Sequence, residues 1–342
     1  MNVTIKEVAK LAGVSISTVS RTCTNHPKIS EKTKEKVREA MKILGYEPNF
    51  QASNLASKNS KTIGIILPIA ENFSYQNSFF LEVIHGVCQA CIIENYMNTI
   101  ISGNSEKELL KSIKSIINSG KVEGFILLYS KDNDPILEYL NKNNQIYTII
   151  GKPSKNINNT IYIDNDNITA GKDATDYLIK LGHKKIGFLY NQGNRIFVQD
   201  RKAGYISSLL ENNIEIKQEY CLEKNLALEK DTLELQELFL SEHSPTAIIA
   251  LDDIIALLLE KILLNINKHV PKDLSIITFN NTLLTTLTNP QLTCIDINNY
   301  QLGLESALQI IRHIKDPNLL PTKIIVPHNI IERNSCKKFE NN

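Results

Sequence analysis

The chain has 342 residues, 42% of them apolar, and a net charge of +1. That length suits two or three compact units, and the apolar share excludes wholesale disorder. No apolar run reaches the ~18 residues of a membrane helix; the best, Ile254 to Leu264, is interrupted by Glu260 and Lys261. The opening MNVTIKEVAK has no apolar signal core, so a soluble cytoplasmic protein is expected. The charge is unevenly placed. Residues 1–61 hold 11 Lys/Arg against 5 Asp/Glu and carry +6, while the remaining 27 basic and 32 acidic residues carry −5. A basic head on a mildly acidic body suggests a polyanion-binding module joined to something else.

In chain order, Thr4-x-x-Glu7 has the form of a capping box and starts a helix that Gly13 stops. A second helix starts at Ser15, and Ser30 caps a third, in which Val37, Ala40, Met41 and Leu44 recur at helical spacing before Gly45. Val8, Ala9, Val14 and Val19 complete a small shared core, which makes residues 1–48 a helix-turn-helix domain. Pro48-Asn49 breaks the chain. FQASNLAS, residues 50–57, is long enough for about two turns of helix, marginal alone in water. The polar SKNSK that follows is a linker, so residues 49–61 form a hinge segment.

From Thr62 the pattern alternates. Strand-like runs include TIGIILP, NTIIS, GFILLY, IYTIIG, TIYID, KIGFLY, TAIIAL and LSIITF. Helix-period stretches at 79–95, 106–119, 169–181, 198–211 and 252–265 lie between them. This predicts parallel sheets covered on both faces, and residues 62–342 are long enough for two α/β subdomains. A crossover is expected near 152–163. In such sheets ligands bind beyond the carboxyl ends of the strands. Those ends carry Pro68, Tyr129, Asp164, Asp166, Tyr190, Asp252, Asp253, Asn280 and Asn281, groups suited to a polyhydroxyl ligand or simply to capping the next helix.

Other chemistry finds little support. Cys88 and Cys91 form a lone CxxC near His85; without a second matching pair they are better read as a buried helix stripe than as a metal site. GxGxxG, Walker, GxSxG and HExxH motifs are absent, and Asp164-Asn165-Asp166, one short D-x-D without further ligands, is a weak signal for a metal or acid/base pair and better suits strand-end capping or sugar binding. No enzyme, metal or cofactor is expected. His183 is expected in a solvated turn.

VTIKEVAKLAGVSISTVSR followed by ISEKTKEKVREAMKILGYEPN resembles the lactose repressor (LacI/GalR) family of bacterial transcription regulators. YIDNDNITAGKDATDYLIKLGHKKIGFL, DRKAGY, PTAIIALDDIIA and LSIITFNN extend the resemblance over residues 3–333. YQNSFFLEVIHG, IDNDNITAG and CIDINNYQLG are closer to Gram-positive maltose-operon repressors. The resemblance implies a helix-turn-helix domain plus a periplasmic-binding-protein-like effector domain of two doubly wound parallel-sheet subdomains. Its further crossovers fall near 290–298 and 322–328. It implies base reading by Ile16, Ser17 and Arg21, and phosphate contact by Thr4, Ser15, Thr18, Ser20 and Thr33. Ala52 and Leu55 fall on the family's minor-groove hinge helix, but Ser53 stands where the family usually has Arg. Effector contact falls to Phe79, Phe80, Tyr129, Asp166, Arg201, Asp252 and Asn280. At Asp252 the lactose repressor has an amide, and at Asn280 many members have Asp, so sugar identity does not transfer.

The implied protein is a homodimeric repressor of sugar genes, bound to a pseudo-palindromic DNA operator and controlled by a small-molecule effector. The short tail RNSCKKFENN has no heptads and argues against a tetramer. Two alternatives stand: a catabolite-control regulator using a protein corepressor, and a cytosolic sugar-binding protein.

Overall fold

A computed structural model describes residues 3–23, 25–46, 60–69, 77–191 and 195–340. The hinge expectations at Ala52, Ser53 and Leu55 lie outside the described residues. The chain divides into two compact units, residues 1–60 and 61–342.

The first unit contains α1 (Ile5–Ala12), α2 (Ile16–Cys23) and α3 (Glu31–Leu44). Thr4 and Glu7 close the capping box in both directions, and Gly13, at φ 62°, ends α1 in the left-handed region that glycine favours. The Ser30 hydroxyl accepts the Thr33 amide at the start of α3. Val8, Val19 and Val37 are fully buried, with Val14, Met41 and Leu44 against them.

In the second unit, β1 (Thr62–Ile66), β2 (Met97–Ile101), β3 (Gly124–Leu127), β4 (Ile146–Ile150) and β5 (Ile161–Asn165) alternate with α4 (Ser78–Glu94), α5 (Glu106–Asn118) and α6 (Pro135–Lys142). The chain continues through α7 (Asn167–Lys180), β6 (Ile186–Tyr190), α8 (Ile196–Glu211), β7 (Cys221–Glu223) and α9 (Glu229–Leu240). Next come β8 (Ala247–Ala250), α10 (Asp253–Asn265), β9 (Ser275–Phe279), α11 (Leu284–Leu287) and β10 (Thr293–Asp296). It ends with α12 (Asn299–Lys315), β11 (Lys323–Val326) and β12 (Asn329–Ile331). Two six-stranded sheets result, in the orders β11-β5-β4-β3-β1-β2 and β12-β10-β9-β8-β6-β7. The first is wholly parallel. In the second, β12 runs antiparallel to β10 while the other pairs are parallel, so both subdomains have the expected parallel sheets.

The chain crosses between the sheets three times, at 165–167, 296–299 and 326–329. The first crossing lies downstream of the expected 152–163. That polar stretch joins two neighbours of one sheet, β4 and β5, whose registry runs Thr148 to Ile161. The other crossings compare with expected windows of 290–298 and 322–328. One side chain touches all three: the Asn165 amide donates to the carbonyls of Ile297 and Val326, each at 2.9 Å.

Each subdomain is also braced by a helix pair meeting at glycines. A Cβ on Gly86 of α4 would lie 2.0 Å from the Tyr300 carbonyl oxygen, and one on Gly303 of α12 would lie 1.9 Å from that of Val83. In the second subdomain, Gly171 of α7 and Gly204 of α8 would meet the oxygens of Arg201 and Ile168 at 2.1 and 2.0 Å.

His183 departs from its expected solvated turn. It is 1% exposed, with Nδ1 at 2.9 Å from the Thr246 hydroxyl and Nε2 at 3.1 Å from the Lys337 carbonyl. The C-terminal tail covers it: the Ser335 hydroxyl donates to the Ile276 oxygen and the Phe339 amide to the Leu181 oxygen. Burial lowers the His183 pKa.

Candidate functional site

The first candidate surface is α2. Ser15 precedes it, and its hydroxyl accepts the Thr18 amide at 3.1 Å and lies 2.8 Å from the hydroxyls of both Ser17 and Thr18. Val19 and Thr22 face the core, so the opposite face carries Ile16, Ser17, Ser20 and Arg21, all exposed. Ile16 is 45% exposed. A branched apolar side chain beside hydroxyls and a guanidinium suits base edges and thymine methyls. Thr4 is exposed and donates its hydroxyl to Glu7; Thr33 is half-buried, its hydroxyl 2.8 Å from that of Ser30.

The second candidate is a cavity of about 380 Å³ in the second unit, at the carboxyl ends of both sheets. Tyr129 follows β3, Asp164 and Asn165 end β5, Asp252 follows β8 and Asn280 follows β9. Phe79 and Phe80, at the start of α4, supply an apolar wall with their rings edge to face at 5.2 Å.

Its polar anchor is Arg201, 4% exposed. The side chain donates through Nε to Asn167 Oδ1 at 2.9 Å and through Nη1 to the Leu251 carbonyl at 3.0 Å. Its guanidinium lies 3.9 Å from the Phe279 ring centroid. Asn167 in turn donates to Asp164 Oδ1 at 3.0 Å. Asp252 caps α10 by accepting the Ile255 amide at 2.8 Å. Burial pushes the carboxyls of Asp164 and Asp252 up to about 6, while it lowers Arg201 to about 10 against the pull of both. The guanidinium stays charged at neutral pH. Rigid donors and acceptors flanked by aromatic rings suit hydroxyl pairs and the apolar face of a sugar ring.

The cavity brings together Phe79, Phe80, Tyr129, Arg201, Asp252 and Asn280. Asp166 is a correction: it is exposed and outside the cavity lining. Its carboxylate caps α7, accepting the Thr169 amide at 3.0 Å and hydroxyl at 2.7 Å, and those bonds lower its pKa. Asp164, one strand repeat earlier, lines the cavity instead. Sequence reasoning missed Asn167, Asp134, Arg195 and Phe197 as lining residues. Asn167 lies three residues after Asp164, a spacing that brings the two together at the strand-to-helix turn. Cys88 and Cys91 lie on α4, where Cys88 Sγ is 3.5 Å from the Asn98 amide nitrogen and burial raises the Cys91 thiol to about 11.

Comparison with known proteins agrees with both regions. The family model for bacterial regulatory proteins of the lacI family matches residues 4–49, and a periplasmic binding protein-like domain matches 175–336. The transcriptional regulator MalR of Staphylococcus xylosus is 36% identical over 338 residues, 99% of each chain. A solved structure described as the probable maltose operon transcriptional repressor malR of Staphylococcus aureus is 28% identical, with a TM-score of 0.74 over 81% of this chain and 98% of that one. The lac repressor dimer bound to operator shares the fold at 21% identity, with a TM-score of 0.76 over 98% of this chain and 100% of that one. The chain belongs to the lacI family of bacterial regulatory proteins, which are DNA-binding transcriptional regulators.

Proposed function

We propose that the protein is a cytoplasmic, homodimeric repressor of maltose-class sugar genes, released from or fixed on its operator by a neutral sugar held in the cavity. The observation that carries this reading is the pairing, in one chain, of an exposed α2 face with a cavity built around Arg201, Asp164 and Asp252. Ile16, Ser17 and Arg21 would read bases in the major groove, while Thr4, Ser15, Thr18, Ser20 and Thr33 seat the helix on phosphates. Phe79, Phe80, Tyr129, Arg201, Asp252 and Asn280 would hold the effector, with Asp164 and Asn167 in the place first given to Asp166.

The exposed apolar residues Leu81, Ile93 and Met97 on α4 and its following strand, with Leu283 and Leu287 near α11, would form the dimer face. No covalent step is needed. The cavity is walled by both subdomains, so a ligand that fits one arrangement better than another shifts their equilibrium, by no more than its difference in affinity for the two.

The test is operator binding by the full chain, followed by fluorescence anisotropy with and without maltose. The expected result is sequence-preferring binding that maltose shifts at least tenfold. Arg21→Ala should lose sequence preference and keep salt-dependent, nonspecific binding. Binding that ignores both sequence and sugar overturns the reading.

A further inference from the structure

One oxygen of a cavity carboxylate has no formed hydrogen bond among the described residues. Asp134 stands at the N-cap of α6, on the wall supplied by the first subdomain, and is 4% exposed. Its Oδ1 accepts the Ile136 amide at 2.8 Å, while its Oδ2 is buried with no hydrogen-bond partner among the described residues. Leaving a buried carboxylate oxygen without a donor is costly, and such an atom in a native fold calls for a donor from outside the chain. Its neighbours narrow the choice of donor. Tyr129 lies beside it, its phenol pushed up by burial, then by the Asp134 charge and by a hydrogen-bonding approach to that carboxylate that falls short of a formed bond. Glu106 also lines this wall, paired with Lys131 at 2.5 Å, and both charges act on Asp134. Asp134, Glu106 and Lys131 together leave this corner with one net negative charge. A neutral sugar hydroxyl donates a hydrogen bond there, whereas a phosphate or carboxylate group is repelled.

We infer that Asp134 is a specificity residue of the cavity: its unpartnered oxygen accepts a hydroxyl of a neutral sugar and turns away phosphorylated or acidic sugars. This rests on the reading of the cavity as a sugar site. Asp134 gives the first subdomain its own hold on a ligand that Arg201 and Asp252 grip from the second.

The test uses the full chain, with maltose and maltose 6′-phosphate as probes in titration calorimetry. Asp134→Asn and Asp134→Ser both keep an oxygen for the Ile136 amide and remove the second acceptor. The expected result is a loss of maltose affinity of at least tenfold in each, with ligand-free Tm unchanged or raised, because a buried unpartnered charge has gone. A merely structural role would lower Tm and leave affinity alone. The wild type should bind the phosphate ester at least tenfold more weakly than maltose, and Asp134→Asn should narrow that gap. Folded variants with wild-type maltose affinity overturn the assignment while the sugar reading stands. Should neither variant fold, equal wild-type affinity for maltose and its phosphate overturns it. A wild type that binds neither probe overturns both readings together.

Discussion

Two carboxylates two residues apart, Asp164 and Asp166, have different surroundings and therefore different tasks. Asp164 is buried beside Asn167 and faces the cavity, whereas Asp166 is exposed and committed to the first turn of α7. Asp166→Ala should cost about 1 kcal/mol of stability as a lost cap and leave maltose affinity unchanged. Arg201→Ala should lower that affinity at least tenfold in calorimetry. The reverse pattern would return the ligand role to Asp166. The sequence pattern located the strand end and could not say which carboxylate turns inward, because that depends on where the next helix begins.

Glu260 offers a second residue-scale prediction. Its Oε1 is buried with no hydrogen-bond partner among the described residues, and burial alone raises the carboxyl to about 7. The folded protein thus holds a proton that the unfolded chain has released, so stability falls as pH rises from 4.5 to about 7 and is level above. Glu260→Gln removes this loss. Its gain in Tm over the wild type should be clear at pH 8 and nearly absent at pH 4; equal gains at both would refute the mechanism.

At the scale of elements, the two glycine crossings hold helix axes closer than any side chain permits. Gly303→Ala sets a methyl 1.9 Å from a backbone oxygen, and Gly171→Ala sets one at 2.1 Å. Each should lower Tm by an amount equal to about 1–3 kcal/mol or more, since backbone cannot step aside as a side chain can. Tm values within error of the wild type would show that these helices slide freely. The sequence made buried strands legible as apolar runs, continuous at residues 247–250 and broken only by Ser275 and Thr278 at 275–279. Short strands escaped it: β7 and β12 have three residues each, too few to show a period. The three-helix head was legible almost residue by residue, because its caps at Thr4 and Ser30 and its stop at Gly13 are local signals. The return of α12 and β11 to the first sheet is not a local signal. A βα unit reads the same whichever sheet it joins.

At the scale of the molecule, three crossings link the subdomains, and Asn165 ties the three together. Asn165→Ala leaves two carbonyls short of a donor. Asn165→Asp keeps the volume but turns a carboxylate toward the same two oxygens. Thermal unfolding should therefore rank wild type above Ala and Ala above Asp. An Asp variant as stable as the wild type would show that the amide bonds contribute nothing.

The return of α12 and β11 also bears on how the protein is made. The first subdomain begins at β1 and is not complete until β11, whose Val326 pairs with Asn165 across about 160 residues of sequence. At ~5–20 residues per second, synthesis leaves the β5 edge and the glycine face of α4 uncovered for roughly ten to thirty seconds after β5 emerges. During that interval the half of the protein made first is the half that cannot close. The second subdomain, whose sheet lacks only β12 and the tail, can gain structure before it. A nascent chain stalled before residue 299 should thus be cleaved by protease within β1–β5 and protected within β6–β10. Protection in the opposite order would show that the early strands find another cover while they wait.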